Sequence, residues 1–312
     1  MNSTKDNYKQ SRQNSLHQIK KMKNTIMTAA LLAIAVSGHT QATKEVKGFN
    51  TPESVSGKCK YLYVSNMGSK VDPTAKDGDG YISKIARVDG KIVDEKFITG
   101  LNSPKGIKII HSKIYIADVD RVVVYKLKTK EKLWEQNFDS RNSNYLNDIS
   151  IRGCGSVFVS STDRDAIFKV CKKKIKQLPV KGNIEGANGI FRSAFKLYIA
   201  NYGHAKKPNG SFGVINLVTK KYHPYQTGGM YDGIQKVCGR IVVSDWINNS
   251  GQRQGKLYTY TKCKKKLTEI DPGVDISGPS DIYVDHKMKV LWIPCMLDNK
   301  LVSIPLSALK KK

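Results

Sequence analysis

Residues 187–201 read ANGIFRSAFKLYIAN, a short polar motif followed closely by a run typical of a β-strand. The same pairing recurs along the chain at intervals of 41 to 52 residues. The motifs are Pro52–Val55, Pro104–Ile107, Leu146–Ile149, Ala187–Ile190, Tyr231–Ile234 and Pro279–Ile282. The β-rich runs are 61–66, 113–118, 156–161, 196–201, 240–245 and 290–295. Val, Ile, Tyr and Phe dominate these runs, as half-buried strands require.

Each repeat contains more than one strand. A second β-rich run follows the first, as at 122–127, 166–171 and 256–261, and a turn rich in Lys or Gly leads to a last short strand. Four strands per unit and six units predict an all-β fold, a six-bladed β-propeller with four antiparallel strands in each blade.

The N-terminal part of the repeat region predicts how the ring closes. Residues 45–55, EVKGFNTPESV, align with 97–107, FITGLNSPKGI, which should be the outer strand of blade 1 leading into blade 2. The sixth blade ends near 306–309 without an outer strand. We therefore expect Glu45–Lys47 to complete blade 6, which would remove the unpaired edges of an open array.

Composition limits the class of protein. The 312 residues are 39% hydrophobic and 25% charged, which excludes a mostly disordered chain. A mean hydropathy of −0.42 excludes a polytopic membrane protein. The net charge of +27 favours an anionic surface or polyanion as a partner.

The first 42 residues are predicted to be an extension and a secretory signal peptide, and residues 43–312 to be the propeller. Lysines precede the apolar stretch 25–37, and Ala42 ends a small-residue segment where cleavage is expected. Residues 1–21 are unusually polar for a signal peptide, so Met22 is a second candidate for the translation start. The alternative to the signal peptide is a buried N-terminal helix. We expect a periplasmic or secreted protein with no transmembrane segment in the mature chain and no specific nucleic-acid recognition.

The cysteines are placed by the repeat. Cys154 and Cys171 fall at the same end of neighbouring strands in blade 3, and Cys238 and Cys263 hold the matching positions in blade 5. Two hairpin disulfides, Cys154–Cys171 and Cys238–Cys263, are predicted, with free buried thiols as the alternative. Cys59 and Cys295 fall at opposite ends of their blades and should not pair.

Lysine runs occur at equivalent turns of several blades. They should meet on one face of the ring, which we call the bottom face, while the strand entering each blade from the axis begins at the opposite, top face. The runs are 128–132, 172–174, 220–221, 264–266 and 310–312. They indicate either a polyanion-binding face or ordinary solvated turns.

One polar residue per repeat should point toward the axis at the top face. These residues are Glu53, Lys105, Asn147, Asn188, Asp232 and Ser280. Oxygen ligands from Glu53, Asn188 and Asp232 suit a hard divalent cation, and an open position on such an ion supports hydrolysis. The alternative is that Asn, Asp and Gly recur because each blade needs the same turn.

The chain resembles the SMP-30/gluconolactonase/LRE-like propellers over about 45–306, in particular a secreted bacterial branch. The resemblance rests on the six-fold repeat with Asn147-Asp148, Ala187–Ile190 and Asp232-Gly-Ile234 in successive blades. It implies a divalent cation, Ca²⁺ before Zn²⁺, Mg²⁺ or Mn²⁺, held by Glu53, Asn188 and Asp232. It further implies substrate binding by Asn147 and general-base catalysis by Asp232.

The chain departs from the family pattern at four places. Glu53 follows a proline rather than preceding one, and Ile149 replaces the glycine of the family's Asn-Asp-Gly motif. Tyr145-Leu146 stand where the family has an arginine, and Lys105 adds a cation that could bind an anionic substrate.

Two function classes follow. The first is a metal-dependent hydrolase of a lactone or related ester, a small-molecule substrate, with His204 as a second candidate for moving protons. The alternative is a binding propeller without chemistry, which holds a ligand in the top pocket or a polyanion on the bottom face.

Overall fold

The structure, a computed structural model, describes residues 43–152, 156–171, 174–204, 207–237, 239–246, 254–261, 263 and 266–310. The predicted leader, residues 1–42, lies outside this part of the chain. Within it, the strands form six antiparallel sheets of four strands each. The predicted six-bladed β-propeller is confirmed.

The first three blades each consist of four consecutive strands. Blade 1 contains β2 (Pro52–Lys58), β3 (Tyr61–Asn66), β4 (Gly80–Ala86) and β5 (Ile92–Leu101). Blade 2 contains β6 (Pro104–Ile110), β7 (Lys113–Asp118), β8 (Arg121–Lys126) and β9 (Lys132–Asn137). Blade 3 contains β10 (Leu146–Arg152), β11 (Ser156–Ser161), β12 (Ala166–Cys171) and β13 (Lys174–Gln177).

The last three blades follow the same order, except that the sixth borrows its outer strand. Blade 4 contains β14 (Ala187–Ser193), β15 (Lys196–Asn201), β16 (Gly210–Asn216) and β17 (Tyr222–Gly229). Blade 5 contains β18 (Tyr231–Val237), β19 (Arg240–Asp245), β20 (Lys256–Tyr260) and β21 (Leu267–Ile270). Blade 6 contains β22 (Tyr283–Asp285), β23 (Val290–Cys295), β24 (Lys300–Pro305) and β1 (Lys44–Lys47).

Among the residues that the structure describes, three short 3-10 turns accompany the strands, at Asp139–Arg141, Met296–Asp298 and Ala308–Lys310. No helix within the described part of the chain combines the length and hydrophobicity needed to span a bilayer.

The N-terminal strand closes the ring as predicted. β1 pairs antiparallel with β24, in the register Glu45 to Val302 and Val46 to Leu301. Val46 packs against the cluster shared by blades 6 and 1, which includes Trp292. The edge of the last sheet is therefore covered by the first strand of the chain.

The hydrophobic core lies between the blades. In the described residues, six buried clusters each join the faces of two neighbouring blades. The inner strands of adjacent blades also contact one another around the axis. Polar side chains such as Glu53 and Asp232 are buried near the start of these inner strands.

The disulfide predictions fall partly outside the described residues. Cys171 and Cys263 are exposed and form no disulfide with another described cysteine, while Cys154 and Cys238 lie outside the description. Both hairpin pairings stay predictions.

The lysine-rich turns lie where the repeat places them. The outer turns of blades 2 and 4, residues 127–131 and 217–221, connect the ends of strands that have left the axis, at the bottom face. Residues 172–173, 264–265 and 311–312 of the other runs lie outside the described residues. The polyanion partner stays a prediction.

Candidate functional site

An extra residue in each of five inner strands aims a side chain at the axis. In blade 1, Pro52 pairs with Asn66 and Val55 with Val64, so three steps on β2 match two on β3. The same shift occurs in β6, β10, β14 and β18. Such a bulge re-aims side chains and often borders a functional site. The six predicted axial residues lie at these positions or at their equivalent in blade 6, and all are buried: Glu53, Lys105, Asn147, Asn188, Asp232 and Ser280.

The bulges show that the repeated Asn-Gly and Asp-Gly pairs are not turn residues. Both pairs lie inside strands, β14 and β18. A Cβ atom on Gly189 would come within 1.9 Å of the Asp232 carbonyl oxygen, and one on Gly233 within 2.5 Å of the Ser280 oxygen. The glycines are therefore required because the neighbouring blade approaches too closely for a side chain.

Serines in the second strands of blades 1 and 5 hold the bulges. The Ser65 hydroxyl accepts a hydrogen bond from Ser54 N at 2.9 Å and donates to Lys105 O, in the next blade, at 2.7 Å. Ser244 does the same between Gly233 N and Ser280 O. In the sequence, these hydroxyls correspond to the Val-Ser pairs near the ends of several β-rich runs.

Four oxygen atoms of the axial ring are buried without a hydrogen-bond partner among the described residues. They are Glu53 Oε2, Asn147 Oδ1, Asn188 Oδ1 and Asp232 Oδ1. Buried polar atoms are nearly always satisfied, so several orphaned oxygens at equivalent positions call for an absent partner. Carboxylate and carboxamide oxygens are the ligands that hard divalent cations prefer.

The structure brings two of the predicted metal ligands into contact. Asn188 Nδ2 donates to Asp232 Oδ2 at 3.3 Å, and neither Asn188 Oδ1 nor Asp232 Oδ1 has a partner at hydrogen-bond geometry. The Trp246 side chain lies close enough to the Asp232 carboxylate to oppose the rise of its pKa. No three His, Cys, Asp or Glu side chains in the described ranges converge on a metal position. An ion bound here would therefore have to take carboxamide oxygens as well as carboxylates.

The carboxylates of the ring repel one another. Burial raises the pKa of Glu53 well above its usual range, and the nearby Asp232 and Asp281 raise it further. Burial also raises the pKa of Asp232, with Asp281 and Asp148 adding to the effect. A cation between them would reverse these shifts, because it favours the ionised forms.

The Lys105 ammonium is directed toward the loops of the top face. It donates to Pro73 O at 2.6 Å and Ser103 O at 2.8 Å, and lies 5.2 Å from the centre of the Tyr145 ring. Burial lowers the pKa of Lys105 to about 8, although Asp118 and Glu53 oppose the shift. Two of its three donors are thus used within the protein, and its predicted contact with substrate stays a prediction.

Asn147 is anchored by one end of its carboxamide. Its Nδ2 donates to Thr162 Oγ1 at 3.4 Å, and Thr162 in turn donates to Ala187 O in the next blade. The oxygen of the same group is the unpartnered Oδ1. This is the arrangement expected of a side chain that offers an acceptor to the pocket.

A second charged layer joins two of the inner strands, β6 and β10, to the segment just before β22, and sequence reasoning missed it. Lys108 Nζ lies 3.7 Å from Asp148 Oδ1 and 3.4 Å from Asp281 Oδ2, and Ser54 Oγ donates to the same Asp281 oxygen at 2.6 Å. Burial alone would lower the pKa of Lys108, but Asp148 and Asp281 raise it above its usual value. Burial and Asp281 raise the pKa of Asp148 to about 7. The positive charge of Lys108 therefore balances part of the negative charge of this layer.

Aromatic side chains near the ring were also missed. Tyr202 and Trp246 directly follow the second strands of blades 4 and 5, and their rings meet edge to face at 5.9 Å. Tyr145 precedes the inner strand of blade 3. Burial raises the pKa of Tyr145 and of Tyr202, and in both cases Asp232 adds to the rise. The three aromatic side chains therefore lie close to the Asp232 carboxylate.

His204 does not join the ring. Its Nε2 lies 2.9 Å from Asp165 Oδ1, and both side chains are largely exposed. Ser280 donates to Pro52 O at 3.3 Å, which links blade 6 to blade 1.

Comparison with known proteins identifies the fold and no family. No protein-family model and no curated protein sequence matches the chain. The hydrazine synthase of Kuenenia stuttgartiensis is 14% identical with a TM-score of 0.58, over 83% of this chain and 77% of that one. An inactive variant of virginiamycin B lyase from Staphylococcus aureus, solved with quinupristin, is 14% identical with a TM-score of 0.57, over 85% and 99%.

A third similar structure, from a nidogen/laminin complex, is 12% identical with a TM-score of 0.59, over 76% of this chain and 89% of that chain. A synthase, a lyase and a protein of the nidogen/laminin complex are thus similar to this chain in fold. At these identities the likeness is one of fold alone, and function has to be argued from the site.

Proposed function

We propose that the protein is a periplasmic or secreted hydrolase that binds one divalent cation in its axial ring and cleaves a lactone or related ester. The observation that carries the proposal is the set of four unpartnered buried oxygens from four different blades. Glu53, Asn188 and Asp232 would hold the ion, with Asn147 facing the same pocket. Ca²⁺ is the first candidate because it accepts mixed oxygen ligands in flexible geometry.

The chemistry would be divided among few residues. A bound cation supplies Lewis-acid polarisation of a substrate carbonyl. Asn147 orients the substrate through its free carboxamide oxygen, and the rings of Tyr145, Tyr202 and Trp246 pack against the substrate's apolar face. Asp232 takes the proton of the attacking water as the new C–O bond forms, and that proton passes to the alkoxide released when the ring C–O bond breaks.

The second candidate is a binding propeller without chemistry. In the hydrolase, Asp232 would have to act both as a cation ligand and as the general base. Because a carboxylate bound to a cation is a weaker base, this conflict favours the binding propeller. His204, the other proton carrier considered, pairs with Asp165 instead.

Hydrolysis of a panel of lactones and esters, before and after chelation, tests the proposal. Asp232→Asn should lose activity together with at least about 100-fold of its cation affinity, because a ligand and a charge are removed. Asn147→Ala should keep the ion and lose about tenfold in kcat/KM, the effect of one hydrogen bond. Asp77→Asn, an exposed carboxylate of the top face, is the matched control and should change neither.

The panel also separates the two candidates. Hydrolysis that stops on chelation and returns with Ca²⁺ supports the hydrolase. If the protein binds the ion but hydrolyses no lactone or ester, it is the binding propeller. If it neither binds the ion nor hydrolyses these substrates, the axial ring is not a cation site of either kind.

A further inference from the structure

One corner of the bottom face exposes large apolar side chains. Phe195 lies in the turn between β14 and β15 and is 72% exposed, and Val218 lies in the turn between β16 and β17 and is 70% exposed. The two turns are joined because Leu217 N donates to Phe195 O at 2.8 Å. Blade 4 therefore presents an aromatic and an aliphatic side chain from neighbouring turns.

A groove of about 460 Å³ begins beside Phe195, between blades 4 and 5. Tyr198, Ile241 and Tyr260 contribute apolar surface to it, and the exposed Lys196 and Lys236 also line it. The groove thus combines an apolar lining with two ammonium groups. That combination suits an amphiphile with an anionic head.

The charged residues in the described segments around this corner are all basic. The described segments 193–196, 216–222, 235–237 and 239–241 contain no Asp or Glu. They carry lysines at 196, 220, 221 and 236, of which Lys196, Lys221 and Lys236 are exposed. Exposed lysines beside exposed apolar side chains are the composition of segments that bind the surface of anionic membranes.

We propose that this corner, which we call the blade 4 corner, docks the protein on an anionic lipid surface. Phe195 and Val218 enter the boundary between head groups and acyl chains, and the lysines contact lipid phosphates. A soluble polyanion fits less well, because it would use the charges and gain nothing from the apolar tips or the groove. Docking by the bottom face leaves the axial pocket open to water on the opposite side.

Co-sedimentation with vesicles tests the proposal on the full chain. Vesicles of phosphatidylcholine with phosphatidylglycerol should bind the protein, and vesicles of phosphatidylcholine alone should not. The double variant Phe195→Ser with Val218→Ser should bind about tenfold more weakly, because less apolar surface enters the interface. Val71→Ser, a 54% exposed valine of the top face, is the control and should bind like the wild type.

A charge series with a heparin column separates lipid from polyanion. Replacing Lys196, Lys221 and Lys236 by glutamine should weaken vesicle binding and flatten its salt dependence, while the same change at Lys70 and Lys207 of the top face should do neither. The Phe195 and Val218 variant should keep its heparin retention. Vesicle binding that is absent, or equal in that variant and the wild type, overturns the proposal.

Discussion

At the scale of the residue, the site depends on one additional position in each inner strand. The bulge turns Glu53, Asn188 and Asp232 toward the axis, and hydroxyls such as Ser65 and Ser244 satisfy the backbone atoms that the bulge frees. The cost is a set of buried carboxylates that repel one another. Burial raises the pKa values of Glu53 and Asp232, and the neighbouring carboxylates raise them further.

The stability of the chelated protein should reflect these pKa values. Because the folded pKa of Glu53 and Asp232 is raised, the folded chain binds more protons than the unfolded chain above about pH 4. This contribution to the free energy of unfolding is present at low pH and is lost as pH rises toward the folded pKa. Thermal melts between about pH 5 and 7, below the titration of Lys105, should show it.

The comparison that isolates the effect is with Glu53→Gln combined with Asp232→Asn. This double variant should show a weaker fall of melting temperature with pH than the wild type, and added Ca²⁺ should flatten the wild-type curve only. Parallel curves for the two proteins would contradict the assignment of the raised pKa values to these carboxylates.

At the scale of the element, the closing strand β1 is short but joins the two ends of the repeat region. Its four residues pair with β24, and Val46 contributes to the cluster between blades 6 and 1. Without it, β24 would present an open edge beside a partly uncovered core.

Removing the closing strand should destabilise the whole ring. Deletion of residues 43–50 should lower the free energy of unfolding by about 3 kcal/mol, from lost apolar burial, and the melting temperature by roughly 5–10 °C. Val46→Asp should act in the same direction, whereas Val93→Asp on the outer strand of blade 1, 49% exposed, should have little effect. An unchanged melting temperature after the deletion would mean that β1 is dispensable.

The two hairpin disulfides are a prediction at the same scale. Each would link neighbouring strands of one blade and contribute about 2–4 kcal/mol through loop closure. Mass spectrometry of unreduced peptides from protein expressed in an oxidising compartment should find Cys154 with Cys171 and Cys238 with Cys263. Free thiols at all four positions would remove both pairings and weaken the argument for export.

At the scale of the whole molecule, the sequence predicts what is local and repeated. The blades, the closing strand and the axial ring follow from motifs at fixed offsets, such as Asp232-Gly-Ile234. The Lys108, Asp148 and Asp281 layer could not be predicted in the same way. Its members come from blades 2, 3 and 6, and they meet only because the ring closes.

The contact between two aromatic rings near Asp232 could not be predicted for a related reason. Tyr202 and Trp246 stand just after strands that were correctly predicted, but nothing local shows that two such ends meet at 5.9 Å. The direction of Lys105 likewise depends on the carbonyl of Pro73, thirty-two positions away in a loop of blade 1. Contacts between blades depend on packing that the period of the repeat does not encode.

The central claim is that the axial ring is a divalent-cation site, and calorimetric titration of the chelated protein tests it most directly. We expect one bound ion per chain, with Ca²⁺ tried first and Mg²⁺, Mn²⁺ and Zn²⁺ after it. Affinity should rise with pH, because binding releases protons from Glu53 and Asp232. Asp232→Asn should remove the binding. If the wild type binds none of the four ions even at about millimolar concentration, the affinity of the weakest extracellular calcium sites, the claim is wrong.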